Sequence, residues 1–303
     1  MNGRLAITAV VLAGVLWGVI SVFVRQMSAA GMTLLQIVLA RALVSLVVFL
    51  PVLACVDRTK LRVRPRDVWM FAGTGIVSLV LFNFCYFYTI AHGQAAVGAV
   101  LLYTSPIFIL LLSALLFRER ITRWKLFCLV LTVLGCALVT GVCGGVHGVT
   151  WDVVLLGLAS GLLYGLYTIF GRFALKRYDA QTVTLWTFAF CVLGSGPFAD
   201  LPTLVRIVAQ TPSVLLWTAG IGIVSTLLPY LLYTWGLQRM ENGKAAIIVA
   251  VEPLVAALLG ICCYGESHEM TKIVGMIAIL ASIILLNNVW SSKYTTRFKE
   301  KKK

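Results

Sequence analysis

The feature that most constrains this sequence is residues 245–264, an apolar stretch long enough to cross a bilayer, with Glu252-Pro253 near its middle. A carboxylate in hydrocarbon is costly, and such groups usually face the interior of a helix bundle. The proline removes a backbone donor, so the carbonyl about one turn earlier, near Ile248 or Val249, needs another partner. Such a carbonyl is tolerated at this depth only where protein or a water-filled cavity meets it. The stretch therefore predicts a polar cavity beside Glu252.

The same pattern occurs earlier in the chain, which indicates an internal duplication. Pro106 and Pro253 are 147 residues apart (253 − 106), and Glu119 and Glu266 have the same separation (266 − 119). Further matches at this offset are Gly73-x-Gly75-Ile76-Val77-Ser78 with Gly220-x-Gly222-Ile223-Val224-Ser225, Trp17-Gly18 with Tyr164-Gly165, Phe23 with Phe170, and Arg25 with Arg172. A pair of matched, proline-interrupted apolar segments is the best sequence indication of a transporter's binding site.

The composition excludes a soluble protein. Of the 303 residues, 60% are hydrophobic and only 12% are charged. The apolar residues come in blocks of about 20, the length that spans roughly 30 Å of hydrocarbon. We therefore predict an all-α integral membrane protein with ten transmembrane helices, at residues 5–24, 33–54, 68–91, 96–117, 124–142, 152–171, 181–199, 213–236, 244–264 and 271–290. The first block is too long for a signal peptide, and Arg25 follows it without a small-residue cleavage pattern.

The duplication predicts how the spans are arranged. Each copy holds five spans, and because five is odd, the second copy enters the membrane from the opposite side. The prediction is two inverted five-helix repeats, related by a pseudo-two-fold axis in the membrane plane. The predicted boundaries are residues 1–147 for the first repeat, 148–290 for the second and 291–303 for a basic tail.

The positions of the basic residues predict the orientation. With the N-terminus in the cytoplasm, every lysine and arginine lies in a cytoplasmic segment except Arg25, Arg41, Arg206 and Lys272. This bias places both termini in the cytoplasm of a multi-pass protein of the cell (plasma or inner) membrane. It also accounts for the formal net charge of +14 without a nucleic-acid partner.

A set of motifs spread over nearly the whole chain resembles a known family. The motifs are Trp17-Gly18 in the first span, Arg41 in the second, Pro106 with Phe117-Arg118-Glu119, and Glu252-Pro253 with Tyr264-Gly265-Glu266. They resemble the EamA family of the drug/metabolite transporter superfamily, although Arg118 stands where that family usually has glycine. The resemblance implies ten helices, two inverted repeats and transport of small polar or amphipathic metabolites. It does not imply a single substrate.

Two charged residues within spans are the main candidates for function. Glu252 either binds a proton or a substrate ammonium, or it is a buried structural carboxyl that bonds carbonyls freed by Pro253. Its repeat mate Ser105 carries no charge. Arg41 lies about 12 Å into its span at 1.5 Å per residue. Its guanidinium either binds a substrate carboxylate through two parallel hydrogen bonds, or it extends toward the membrane surface or bonds neighbouring carbonyls.

Polar and aromatic residues recur at matched places in both halves and predict a shared cavity lining. They are Ser78, Asn83 and Tyr86 against Ser225, Tyr230 and Tyr233, and Trp17 and Ser21 against Tyr164 and Thr168. Packing or an interfacial aromatic belt is the alternative for each of them. The predicted helix-breaking positions are Pro106, Pro229 and Pro253. Spans 5 and 10 carry few polar residues and are predicted to be peripheral.

Other residues are assigned structural roles. Glu119 and Glu266 are predicted to tie consecutive helices, ahead of helix N-caps at Thr122 and Glu269. The histidines, His92, His147 and His268, fall at span ends or in loops, and the eight cysteines lie mostly in apolar runs without a C-x-x-C. We therefore expect no metal site. The sequence also holds no P-loop and no catalytic constellation, so no cofactor and no enzyme activity are predicted.

The resulting prediction is a secondary transporter that exports an amino acid or related metabolite by alternating access through a midplane cavity. The energy source is a proton gradient or the substrate's own gradient. The alternatives are an intramembrane enzyme, which lacks a catalytic pair beside Glu252, and a structural membrane scaffold. The expected partners are a small-molecule substrate, the lipid bilayer and protons. The sequence does not distinguish a monomer from a homodimer.

Overall fold

A computed structural model of the chain describes residues 2–93, 95–140, 149–265 and 269–300, and no strand occurs among them. Seven stretches are helical, long and apolar enough to cross a membrane: Gly3–Ala29, Leu34–Val56, Pro65–His92, Ala96–Phe117, Trp151–Ala174, Ser213–Leu237 and Asn242–Tyr264. This confirms the predicted all-helical class and the architecture of an integral membrane protein.

Three predicted spans lie outside these seven. The span at 124–142 corresponds to the shorter helix Arg123–Val139, and the span at 271–290 to Met270–Glu300, whose apolar part is Met270–Leu286. The span at 181–199 is the helical stretch Ala180–Phe198, which bends by 97° into Leu201–Gln210. The ten-span count therefore remains a prediction.

In chain order the α-helices are α1 (Asn2–Gly18), α2 (Ile20–Ala29), α3 (Leu34–Val56), α4 (Val68–Ala72), α5 (Phe82–His92), α6 (Ala95–Leu102), α7 (Ser105–Phe117), α8 (Arg123–Val139), α9 (Trp151–Ala174), α10 (Ala180–Ser195), α11 (Leu201–Gln210), α12 (Ser213–Gly222), α13 (Leu228–Leu237), α14 (Asn242–Val249), α15 (Val251–Tyr264) and α16 (Met270–Glu300). Helix α11 occupies a region for which the sequence predicted only a connection. It begins at Asp200, whose side chain accepts a hydrogen bond from Thr203 N.

The two proline-interrupted spans break at matching places. The break between α6 and α7 falls at residues 103–104, and the break between α14 and α15 falls at Ala250. Each break begins three residues before its proline, Pro106 or Pro253, because the proline ring clashes with the carbonyl of the residue four positions earlier. Pro229 instead lies in the first turn of α13, where its missing N–H is tolerated.

A π-helix occurs at the repeated Gly-x-Gly motif in both halves: Gly73–Leu81 includes the first motif, whereas Ile223–Leu227 directly follows the second, which ends α12. A Cβ on Gly73 would lie 2.5 Å from the ring of Phe170, and a Cβ on Gly220 would lie 2.5 Å from the ring of Phe23. Only glycine allows these close approaches. π-Helical turns within α-helices are frequent at functional sites.

Helices α8 and α16 pack mainly on each other. Thr132 Oγ1 and Ser282 Oγ are 2.8 Å apart and join the two helices with a buried hydrogen bond. Thr122 caps α8 as predicted, because its side chain accepts a hydrogen bond from Lys125 N.

A polar brace joins the connection after α3 to the start of α10. Lys60 Nζ lies 3.3 Å from Asp179 Oδ2, and Thr182 Oγ1 donates to Lys60 O at 2.9 Å. Burial raises the pKa of Asp179, but hydrogen bonds from Thr182 and the charge of Lys60 outweigh it, so the pKa lies below its ordinary value. The carboxylate therefore stays ionised near neutral pH and holds the brace.

The close packing of α1 on α15 leads to a stability prediction. A Cβ on Gly18 would lie 2.8 Å from Glu252 O and 2.6 Å from Val255 Cβ. Gly18→Ala should therefore destabilise the protein by about 1–3 kcal/mol, the usual effect of overpacking. The check is the melting temperature in detergent. The matched control is Gly3→Ala in the same helix, where a Cβ meets nothing within 4 Å. Equal melting temperatures for both variants would contradict the packing argument.

Candidate functional site

A small buried cavity lies between α1, the first π-helix, α9 and α13. The side chains around it are Trp17, Ser78, Tyr164, Tyr167, Thr168, Tyr230 and Tyr233. Its volume of about 20 Å³ holds roughly one water molecule. An amino acid needs far more room, so the walls have to separate before a metabolite can enter.

The walls of the cavity are mostly aromatic. The Trp17 ring meets Tyr230 edge-on, with ring centroids 5.0 Å apart, and lies 5.4 Å from Tyr233. Tyr167 also meets Tyr230 edge-on at 5.0 Å. Edge-to-face rings attract one another, so these side chains form one rigid wall to which both halves of the chain contribute.

Two hydrogen bonds close one end of the cavity by joining α9 to α13. Tyr167 OH and Thr234 Oγ1 are 2.7 Å apart, and Thr168 Oγ1 and Tyr233 OH are 2.8 Å apart. All four side chains are buried. Because buried hydroxyls are costly to leave unpaired, these bonds hold the two helices together at that end.

Glu252 reaches the cavity wall through Tyr164. Tyr164 OH donates a hydrogen bond to Glu252 Oε2 at 3.1 Å. The carboxyl is only partly buried, and Tyr86 and Tyr103 lie close enough to interact with it electrostatically. A carboxylate that accepts a hydrogen bond from one tyrosine and lies within electrostatic range of two others is suited to bind a proton or an organic ammonium.

Arg41 lies on α3 within electrostatic range of Glu252. Its backbone is well held, because Ser45 Oγ lies 2.8 Å from Arg41 O and 2.7 Å from Gly222 O. Its guanidinium forms no hydrogen bond and no ion pair within the described residues. A partly buried guanidinium with free donors is available to bind a carboxylate.

The predicted site residues are only partly brought together. Six of them line the cavity: Trp17, Ser78, Tyr164, Thr168, Tyr230 and Tyr233. Tyr86 does not line the cavity but lies near it, because the ring of Phe82 contacts the rings of both Tyr86 and Tyr164.

The remaining predicted residues are polar groups that mostly face their own helices. Ser21 Oγ donates to Gly18 O, and Asn83 Nδ2 donates to Leu79 O. Ser105 is buried at the start of α7. Ser225 is buried, and its hydroxyl has no hydrogen-bond partner in the described part of the chain.

Two tyrosines at the site were missed by the sequence analysis. Tyr167 lines the cavity, and Tyr103 lies near Glu252. The residues 147 positions away are Ile20 and Ala250, both apolar. The search for polar residues shared by both halves therefore excluded them, whereas a search for all intramembrane tyrosines would have included them.

The predicted role of Glu119 needs correction. Its carboxylate does not tie consecutive helices. It accepts hydrogen bonds from Asn242 N at 2.8 Å and Gly243 N at 3.3 Å, and so caps the first turn of α14. An acceptor is favourable there because the first N–H groups of a helix have no partner within it. Its predicted counterpart, Glu266, lies outside the described residues.

No group of three or more His, Cys, Asp or Glu side chains that could hold a metal ion occurs among the described residues. His92 stacks on the ring of Tyr88 at the end of α5, with ring centroids 4.0 Å apart. His147 and His268 lie outside the described residues.

Comparisons with known proteins support a membrane transporter. The sequence model of the EamA-like transporter family matches residues 4–141 and again residues 151–288. An uncharacterized transporter of Archaeoglobus fulgidus is 30% identical over 281 residues, which cover 91% of this chain and 94% of that protein. The uncharacterized inner membrane transporter YicL of Salmonella typhimurium is 26% identical over 291 residues, 92% and 93% of the two chains. A solved crystal structure has the same fold, with a TM-score of 0.77 at 18% identity, covering 94% of this chain and 96% of that one.

Proposed function

Because this chain belongs to the EamA-like transporter family, we propose that it is a secondary transporter that moves a small metabolite by alternating access. The observation that carries this proposal is the Glu252 carboxyl, hydrogen-bonded to Tyr164 at the wall of an aromatic cavity between the two halves. An ionisable side chain within a membrane-spanning helix is by default a hypothesis for a functional site.

The substrate class follows from the groups around the cavity. Glu252 offers a negative charge, Arg41 offers free guanidinium donors, and the rings of Trp17 and Tyr230 offer an apolar surface. A zwitterion with an apolar side chain, that is an amino acid or a related compound, complements all three. Export is the proposed direction.

The architecture proposed for this function is two inverted repeats, residues 1–147 and 148–290, with ten spans and the basic tail 291–303. Three pairs of matched features support it; two pairs are 147 residues apart, and the π-helices overlap at that offset. They are the π-helices, the helix breaks ahead of Pro106 and Pro253, and the contacts of Gly73 with Phe170 and of Gly220 with Phe23.

The proposed topology predicts opposite exposure of two connections. Arg120, between the fourth and fifth spans, should face the cytoplasm, and Ser213, at the start of the eighth, should face outward. Both are exposed at helix ends. In a cysteine-free variant, Arg120→Cys and Ser213→Cys should react with an impermeant thiol reagent from opposite sides of the membrane. Labelling of both from the same side would refute the ten-span topology.

The function is tested in two steps. The purified protein is first melted in the presence of each of the twenty proteinogenic amino acids, and at least one should raise the melting temperature. That amino acid is then measured for counterflow in proteoliposomes. Exchange that saturates with concentration supports transport. Chemical conversion of the amino acid would favour an intramembrane enzyme, and neither stabilisation nor exchange would favour a scaffold.

A further inference from the structure

An open cleft of about 620 Å³ lies beyond the end of the cavity that the Thr168–Tyr233 bond closes. Its lining is strongly charged and consists of Leu116, Phe117, Arg118, Glu119, Arg172, Lys176, Gln238, Arg239, Met240 and Glu241. The cleft and the cavity share helix α9. Thr168 is at the cavity and Arg172 at the cleft, one helical turn or about 6 Å further along.

Between cavity and cleft, a compact set of hydrogen bonds joins three helix ends. Arg172 Nε donates to Asn242 Oδ1 at 2.5 Å, and Arg172 Nη2 donates to Met240 O. Asn242 Nδ2 donates to Ser113 Oγ at 3.0 Å, while Glu119 caps the backbone of Asn242. The end of α9, the start of α14 and the end of α7 are thereby held together. We call Glu119, Arg172 and Asn242 the latch.

The latch is largely withdrawn from solvent. Asn242 is fully buried, Ser113 is fully buried, and Arg172 and Glu119 are partly buried. Hydrogen bonds to charged groups contribute more to stability than hydrogen bonds between neutral groups. Moving α9 away from α14 would break several of these hydrogen bonds at once.

The sequence lacks this chemistry at the related positions of the other half. Arg25 and Glu266 stand 147 residues from Arg172 and Glu119, but the position matching Asn242 is Ala95. A methyl group neither accepts a hydrogen bond from an arginine nor donates one. The amide-mediated contact therefore belongs to one end of the molecule.

We propose that the latch is the gate of the cleft end, and that it has to open before a metabolite passes between the cleft and the Glu252 cavity. The proposal rests on the transport function proposed above. Its physical basis is the order of layers along α9: the cavity, the Thr168–Tyr233 bond, the latch and the cleft. The hydrogen bonds of the latch favour a state closed at the cleft end.

The test measures access to the cavity without any substrate. Ser78, at the cavity wall, is replaced by cysteine in a cysteine-free variant reconstituted in proteoliposomes of known orientation. An impermeant thiol reagent is applied from the cleft side, which is identified by the labelling of Arg120→Cys.

Asn242→Ala removes both hydrogen bonds of the Asn242 side chain and should raise the rate of Ser78→Cys labelling about fivefold or more. Arg239→Ala, a matched control in the same cleft, stacks on Trp235 and does not join the latch, so it should leave the rate unchanged.

Arg172→Lys is a second latch variant, which keeps the positive charge but loses the planar set of guanidinium donors. It is used in place of Asn242→Ala if that variant does not fold. Melting temperatures identify folded protein. Unchanged labelling in a folded latch variant, or an equal increase with Arg239→Ala, would overturn the gate. The labelling result does not depend on the substrate. Faster labelling of a latch variant, in a protein that no amino acid stabilises, would support the gate but contradict the proposed transport function. Normal amino acid exchange with unchanged labelling would support the transport function but contradict the gate.

Discussion

Glu252→Gln is expected to abolish uptake driven by a pH gradient, by about 100-fold or more, while the protein still folds. Glutamine keeps the size of the side chain and an oxygen that can accept the hydrogen bond from Tyr164, but it cannot bind and release a proton. If the proposed coupling is correct, the variant loses the dependence on the gradient. The measurement is uptake of the stabilising amino acid in proteoliposomes with and without an imposed pH gradient.

The matched control for this prediction is Tyr164→Phe, which removes the hydrogen bond to Glu252 but leaves the carboxyl ionisable. We expect it to weaken transport by only about tenfold, in line with one hydrogen bond to a charged group, and to keep the response to pH. Wild-type rates and unchanged pH dependence in Glu252→Gln would leave Glu252 with a structural role only.

The elements that the sequence predicted well are those governed by local covalent chemistry or by composition. Proline removes a donor and clashes with the preceding turn wherever it stands, so the interruptions near Pro106 and Pro253 could be predicted directly. The apolar blocks predicted ten spans, and seven of these correspond to helices long and apolar enough to cross a membrane, because only a helix satisfies its own backbone in hydrocarbon.

The elements that escaped prediction depend on contacts between distant segments. The π-helical segments begin at Gly73 and three residues after Gly220, the glycines that lie against Phe170 and Phe23, and nothing in a Gly-x-Gly sequence specifies that packing. Helix α11 was missed because its ten residues are too few to cross a membrane and Pro202 reads as a break, although Asp200 caps it.

The site was harder to predict than the fold for a related reason. Searching for polar residues shared by both halves found Tyr164 and Tyr233 but excluded Tyr103 and Tyr167, because a cavity between two similar halves does not need identical linings. The role of Glu119 was misread because its partner, the start of α14, is more than 120 residues away in the chain. The capping contact forms only when the two halves meet.

Arg41→Lys is expected to raise the KM for the transported amino acid by about 10- to 100-fold with little change in maximal rate. The guanidinium has no hydrogen-bond partner among the described residues, whereas its backbone is held by Ser45 and packs beside Gly222. Its donors are therefore free for a ligand carboxylate. A lysine ammonium replaces the charge but not the planar pair of donors, so the loss corresponds to one hydrogen bond to a charged group.

The role of Arg41 is separated from a structural one by changing the substrate as well as the protein. An amino acid amide keeps the ammonium for Glu252 but has no carboxylate, so wild type and Arg41→Lys should transport it with equal KM. The matched control is Arg206→Lys on the exposed face of α11, which should change neither value. A lower melting temperature with normal KM in the remaining folded protein would assign Arg41 to structure. A KM raised equally for the amino acid and its amide would show that Arg41 acts on the cavity as a whole, because the loss would then be independent of the group that the guanidinium is proposed to bind.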